Sequence, residues 1–189
     1  MPTELITGAS RGIGAAIAAA LAPTHTLLLA GRPSAQLDVL IHNAGLSIPG
    51  HFGDSHVDEW RATFNVNLFG AVALTLALPP ALRSARGQVV FINSGAGRNV
   101  SAGMASYSAS KFALRAFADS LRTDEPTLRV TTVYPGRTDT DMQRELVDFE
   151  GGTYDPARFM RADTVAEVVA NVVATPPDGH GHEVVIRPR

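Results

Sequence analysis

Apolar residues fall into two rhythms along the chain. Short β-branched runs occur at "ELIT" from Glu4, "HTLLLAG" from His25, "DVLIHNAG" from Asp38, "GQVVFINS" from Gly87, "LRVTTVYPG" from Leu128 and "HEVVIRP" from His182. Most are bounded by Gly, Pro, Asn or Ser, so they read as buried strands. Between most of them lie longer stretches with apolar residues at helical spacing. These are "GIGAAIAAALA" from Gly12, "HVDEWRATFNVNLFGAVALTLALPPALRSA" from His56, "MASYSASKFALRAFADSLRTDE" from Met104 and "TVAEVVANVVAT" from Thr164. The second is expected to break near Pro79-Pro80, because proline removes a helical donor and clashes with the preceding turn. Residues 139–161, with "EGGTYDP", are the most irregular and predict a mobile loop or short helical insertion.

Strands separated by helices imply an α/β protein with a parallel sheet covered on both faces. The 189 residues show no repeat, low-complexity tract or linker, and predict one domain. Apolar residues make up 45% and charged residues 18%, a globular balance. The net charge of -2 offers no surplus to nucleic acid or an acidic membrane. The absence of cysteine removes thiolate and disulfide chemistry. "MPTELITGAS" lacks the pattern of a secretory leader, and no apolar run reaches a membrane span, so a cytoplasmic location is the expectation.

Three features carry chemistry. "TGASRGIG" places Gly8, Gly12 and Gly14 between a strand and a helix, where backbone N–H groups and the helix N-terminus suit a pyrophosphate. "YSASK" places Tyr107 and Lys111 four residues apart on one helical face. A nearby ammonium favours a phenolate, so Lys111 is expected to lower the Tyr107 pKa. Lys111 is the only lysine among 16 basic residues, which hints at a position where arginine does not serve. Ser94 ends a strand, at the rim where ligands of parallel sheets gather.

In this order the motifs resemble those of the short-chain dehydrogenase/reductase family over nearly the whole chain. Thr7 to Gly14 match its TGxxxGxG turn and Asn43-Ala44-Gly45 its NAG motif. Asn67, Ser94, Tyr107 and Lys111 match its catalytic set, and "PGRTDT" resembles its PGxxxT. The resemblance implies a Rossmann-type doubly wound sheet with strand order 3-2-1-4-5-6-7. It also implies hydride transfer between a nicotinamide dinucleotide and a carbonyl or alcohol. Tyr107 would be the acid/base, Ser94 would hold the substrate oxygen, and Lys111 would bind the nicotinamide ribose. Asn67 would anchor a water. Cofactor contacts are expected from Gly8, Ser10, Arg11, Gly12, Ile13, Gly14, Arg32, Asn43, Ala44, Gly45, Tyr107, Lys111, Pro135, Gly136, Thr138 and Thr140.

Arg32, where an acid would select a free ribose hydroxyl, and Arg11 favour NADP(H) over NAD(H). No metal is expected. "HGH" at His180 and His182 lacks further ligands nearby, Trp60 reads as packing, and His42 as tolerated variation. A homodimer or homotetramer through the helices near 60–80 and 105–122 is implied by resemblance alone. Two other functions compete. A non-catalytic NADP(H)-binding sensor or inactive homologue is opposed by the intact Ser94, Tyr107 and Lys111. A sugar-nucleotide epimerase or dehydratase is opposed by the turn spacing and the short stretch after Gly136.

One join is too short. In that strand order, "HTLLLAG" and "DVLIHNAG" are strands 2 and 4, on opposite sides of strand 1. The six residues Arg32 to Leu37 reach about 20–25 Å when extended. They would have to descend a strand of about 17–20 Å and shift sideways about 10 Å. The expectation is therefore that about 35–45 residues, holding edge strand 3, its flanking helices and the adenine wall, are disordered or deleted near 35–37, by resemblance and against the usual crossover length.

Overall fold

The computed structural model describes residues 1–28 and 36–189. Six parallel strands form one sheet: β1 (Thr3–Ile6), β2 (Thr26–Leu28), β3 (Val39–His42), β4 (Gln88–Ile92), β5 (Arg129–Pro135) and β6 (Glu183–Ile186). Their spatial order is β2-β1-β3-β4-β5-β6. This is the expected doubly wound order from its second strand onward. Among the described residues, β2 is the outer strand on that side.

The strand residues alternate between two cores because successive side chains point to opposite faces. Leu5, Leu40, Phe91 and Val130 point to one face, where they join Leu82 and Leu114. These come from the helices α4 (Pro79–Ala85) and α5 (Ala105–Asp124). Ile6, Ile41, Val90 and Val133 point to the other, against Ile17 and Val169. Those belong to α1 (Gly12–Leu21) and α7 (Ala162–Val173). Burying one such side chain contributes about 1.5–3 kcal/mol. The sheet is thus packed on both faces, and its carboxyl ends can hold a site.

The long apolar stretch from His56 divides further than expected. α2 (Val57–Phe64) passes through a π-helical turn, Asn65–Phe69, into α3 (Gly70–Ala77). The chain then bends by 67° before α4, whose first residue is Pro79. No single helix among the described residues is long and apolar enough to cross a membrane. Within 139–161, the charged amphipathic stretch forms α6 (Asp141–Phe149), followed by a 3₁₀ turn at Pro156–Arg158.

The short join is framed at both ends. Leu28 pairs with Leu5 on one side of β1. On the other side, Asp38 N–H donates to the Thr3 carbonyl at 2.9 Å and Leu37 is fully buried. Arg32 and the start of the join expected near 35–37 lie outside the described residues.

Candidate active site

The glycine-rich turn leaves β1 and is tied to the end of β3. Asn43 Nδ2 donates to the carbonyls of Thr7 (3.1 Å) and Gly8 (3.0 Å). Thr7 Oγ1 accepts from the N–H groups of Asn43 (3.0 Å) and Ala44 (3.1 Å). The NAG residues therefore brace the turn. Gly8 has φ of 64°, a region that disfavours side chains. A Cβ on Gly14 would lie 2.3 Å from Asn43 Nδ2 and from the Gly8 carbonyl oxygen. The close packing leaves the N-terminus of α1 open beside a cleft of about 310 Å³.

That cleft is lined by Gly8, Ser10, Arg11, Gly12, Ile13, Asn43, Ala44, Gly45, Tyr107, Lys111 and Thr140. A pyrophosphate and its adjoining ribose fit it: the turn presents main-chain donors, and Lys111 supplies a cation beyond them. Gly14 works from behind, through packing. Arg11 pairs with Asp141 across the mouth at 3.2 Å.

A second cavity of about 520 Å³ adjoins it. Ser94, Tyr107, Pro135, Gly136, Thr138 and Thr140 line it, so the expected residues from β4, α5 and β5 converge here. Ile13, Tyr107 and Thr140 line both spaces. Thr140 caps α6 by accepting from Gln143 N–H, and Thr138 Oγ1 donates to the Gly136 carbonyl at 3.0 Å.

Tyr107 and Lys111 are both buried on α5, one turn apart. The ammonium lies 5.7 Å from the centre of the Tyr107 ring and donates to the Ile92 carbonyl at 3.1 Å. Burial lowers the Lys111 pKa to about 8. The expected depression of Tyr107 by Lys111 is not what the arrangement produces. Burial pushes the phenol up, and a hydrogen bond with Ser94 pulls it partly back. The buried ring loses more from desolvation of its anion than that contact returns.

Asn67 lies in the π-helical turn, a local widening common at functional sites. It lines neither cavity. Its Oδ1 accepts from Leu46 N–H at 2.7 Å, and its Nδ2 donates to the Leu46 carbonyl (2.8 Å) and Ser110 Oγ (2.9 Å). These bonds use both Nδ2 hydrogens and one lone pair of Oδ1, which leaves the second lone pair of Oδ1 for a water. A Cβ on Gly45 would lie 3.6 Å from Asn67 Oδ1 and 3.7 Å from Lys111 Nζ.

Asn93 was missed from the sequence. Its Nδ2 donates to the Lys111 carbonyl at 3.0 Å and its Oδ1 accepts from Ser94 N–H at 2.8 Å. It thereby fixes the end of β4, and Ser94, to α5. A polar residue closing the apolar run "QVVFIN" was the available signal. His180 and His182 meet edge to face at 4.6 Å, with His180 Nε2 at 3.0 Å from the Val130 carbonyl. Trp60 stacks on Phe64, and His42 stacks on Phe91 while bonding Thr75 Oγ1 at 2.8 Å.

Comparisons with known proteins converge on one family. A family model described as short chain dehydrogenase matches residues 30–151. Glycine betaine reductase ATRR of Emericella nidulans is 31% identical over 234 residues, covering 98% of this chain and 18% of that protein. That aligned stretch exceeds the chain's 189 residues, so the relative carries residues without a counterpart here. Dehydrogenase/reductase SDR family member 7B of Mus musculus is 40% identical over 121 residues, 62% of this chain and 38% of its own length. The chain thus spans well under half of either relative. An alcohol dehydrogenase from the archaeon Thermococcus sibiricus, solved with 5-hydroxy-NADP, superposes with a TM-score of 0.87 at 22% identity. The alignment covers 100% of this chain and 97% of that one. A serine dehydrogenase solved with NADP+ gives 0.81 at 22% identity, covering 97% and 94%. At these identities the two structures speak to the fold.

Proposed function

This chain belongs to the short-chain dehydrogenase/reductase family, and we propose that it is an NADP(H)-dependent oxidoreductase acting on a small carbonyl or alcohol substrate. The observation that carries the proposal is the position of Tyr107. Its side chain belongs to the wall of both adjoining spaces, with Ser94 on one side and Lys111 on the other. A proton donor stands where a substrate and a nicotinamide would meet.

When bound, the dinucleotide would supply or accept the hydride. The residues of this chain do the rest. Gly8 to Gly14 and the start of α1 would hold the pyrophosphate, with Asn43 keeping the turn in shape. Lys111 would hold the nicotinamide ribose, and Pro135, Gly136, Thr138 and Thr140 the nicotinamide side. Ser94 would hold the substrate oxygen and stabilise its developing charge. In the reducing direction Tyr107 gives its proton to that oxygen; burial keeps the phenol protonated and ready to donate. In the oxidising direction the phenolate takes the proton back, and the Ser94 hydrogen bond favours that phenolate form before it does so. Arg11, and Arg32 outside the described residues, favour a 2′-phosphate on the cofactor. The complexes of the two solved relatives with NADP-type ligands agree with that choice.

A homodimer or homotetramer through α3 and α5 belongs to the same reading. Phe69, Leu76 and Phe112 are exposed apolar side chains in that region. A second reading, an NADP(H)-binding chain without turnover, is favoured by one feature. Among the described residues the sheet ends at β2, and the family order carries a further strand beyond it. The discriminating experiment follows NADPH absorbance with the protein and a panel of ketones and aldehydes, alongside direct NADPH binding. Consumption supports the oxidoreductase, and tight binding without consumption on any compound supports the second reading.

A further inference from the structure

After β6, the chain crosses the open end of the sheet beside the larger cavity. A Cβ on Gly136 would lie 2.9 Å from Pro188 Cδ and 3.1 Å from Arg187 Cδ. One on Gly95 would lie 3.1 Å from both terminal nitrogens of Arg187. The Arg187 side chain therefore runs from the Pro135-Gly136 turn to the residue after Ser94. Its guanidinium lines the cavity at the end where the substrate oxygen would bind.

The charges of this wall do not balance. Arg137 is committed to Glu150 at 2.6 Å and lies over the Phe159 ring at 5.3 Å. Arg187 donates only to main-chain carbonyls, those of Tyr134 at 3.3 Å and Ile186 at 3.4 Å. No carboxylate among the described residues pairs with it. One positive charge, on an exposed Arg187, is left at the rim of the cavity.

We propose that the substrate carries a carboxylate a few bonds from its reacting carbonyl, and that Arg187 is the residue that reads it. This deepens, and rests on, the oxidoreductase reading above. The guanidinium fork matches a carboxylate in two parallel hydrogen bonds, a geometry lysine does not offer. Gly95 adjoins Ser94, so a molecule whose oxygen rests on Ser94 meets the guanidinium with a short acid arm. A cavity of about 520 Å³ suits such a molecule. The substrate class is a short oxo acid, or the hydroxy acid in reverse.

The test is calorimetric titration of the full chain, with NADP+ present, using pyruvate, levulinate and benzoylformate, each against its methyl ester. At least one acid should bind about tenfold or more tightly than its ester. Arg187→Ala should weaken that acid by about 10- to 100-fold, the range for losing a charge-assisted pair. Arg61→Ala removes an exposed cation from α2 and should bind the acid as the parent does. Equal affinity for acids and esters, no binding of any acid, or the same loss in both variants would overturn the proposal. NADPH consumption is followed on the same samples. Acid-selective, Arg187-dependent binding without turnover supports the carboxylate site and sinks only the oxidoreductase reading.

Discussion

Replacing Glu4 with glutamine should flatten the fall in stability between mildly acidic and mildly basic pH. Glu4 stands in β1, a central strand, and shares the face of Ile6 beneath α1. Its side chain is fully buried. His25 Nε2 approaches Oε1 to 3.2 Å, but the two are misaligned for a hydrogen bond. Neither carboxyl oxygen finds another partner among the described residues. Burial, with repulsion from Asp38, pushes the Glu4 pKa up to about 7 from an ordinary 4.5. The folded chain therefore holds the proton more tightly than the unfolded one. The stabilising contribution is complete below pH 4.5 and lost as pH rises through 7. Between pH 5 and pH 8 the loss is about 2–3 kcal/mol. For a chain of this size that is about 4–12 °C in Tm. Urea unfolding of parent and Glu4→Gln at pH 5 and pH 8 measures it. His42, pushed down to about 3 by burial, acts in the opposite sense below pH 6.5 and cancels in the difference. Identical pH profiles for the two proteins would refute the reasoning.

Three further outcomes follow from the site. NADPH affinity, measured by fluorescence titration, should weaken as pH rises through about 8, where Lys111 loses its charge. Lys111→Met should bind weakly at every pH without that inflection. Gly14→Ala forces a Cβ to 2.3 Å from backbone and should cost roughly 1–3 kcal/mol in urea unfolding, together with cofactor binding. Arg32→Asp should shift the ratio of NADPH to NADH affinity towards NADH, measured in parallel titrations; an unchanged ratio would remove Arg32 from the cofactor's phosphate.

Much of the fold was legible because β3 and β4 are buried on both faces while α5, α6 and α7 are amphipathic. Runs such as "QVVFI" can be buried on both sides only in a sheet covered twice, and the alternation of Leu5 with Ile6 divides between two cores as that requires. The motif residues at strand ends could be placed at one rim because parallel strands carry them there. The π-helical turn at Asn65–Phe69 was not legible, since an extra residue within one turn barely changes the apolar period. The contacts of Asn93 and Arg187 were not legible because they join elements far apart in sequence: β4 with α5, and the stretch after β6 with Gly95. The direction of the Tyr107 shift depends on how deeply the ring is buried, and helical spacing alone does not give that.

Tyr107 is the proposed proton donor in a carbonyl reduction run by NADPH. The most direct measurement compares NADPH consumption by the parent and by Tyr107→Phe, on any carbonyl compound the parent reduces, with NADPH binding measured on the same samples. Tyr107→Phe should bind NADPH within a few-fold of the parent and turn over about 100- to 10,000-fold more slowly, the scale of losing a positioned acid. Near-parental turnover by Tyr107→Phe would contradict it.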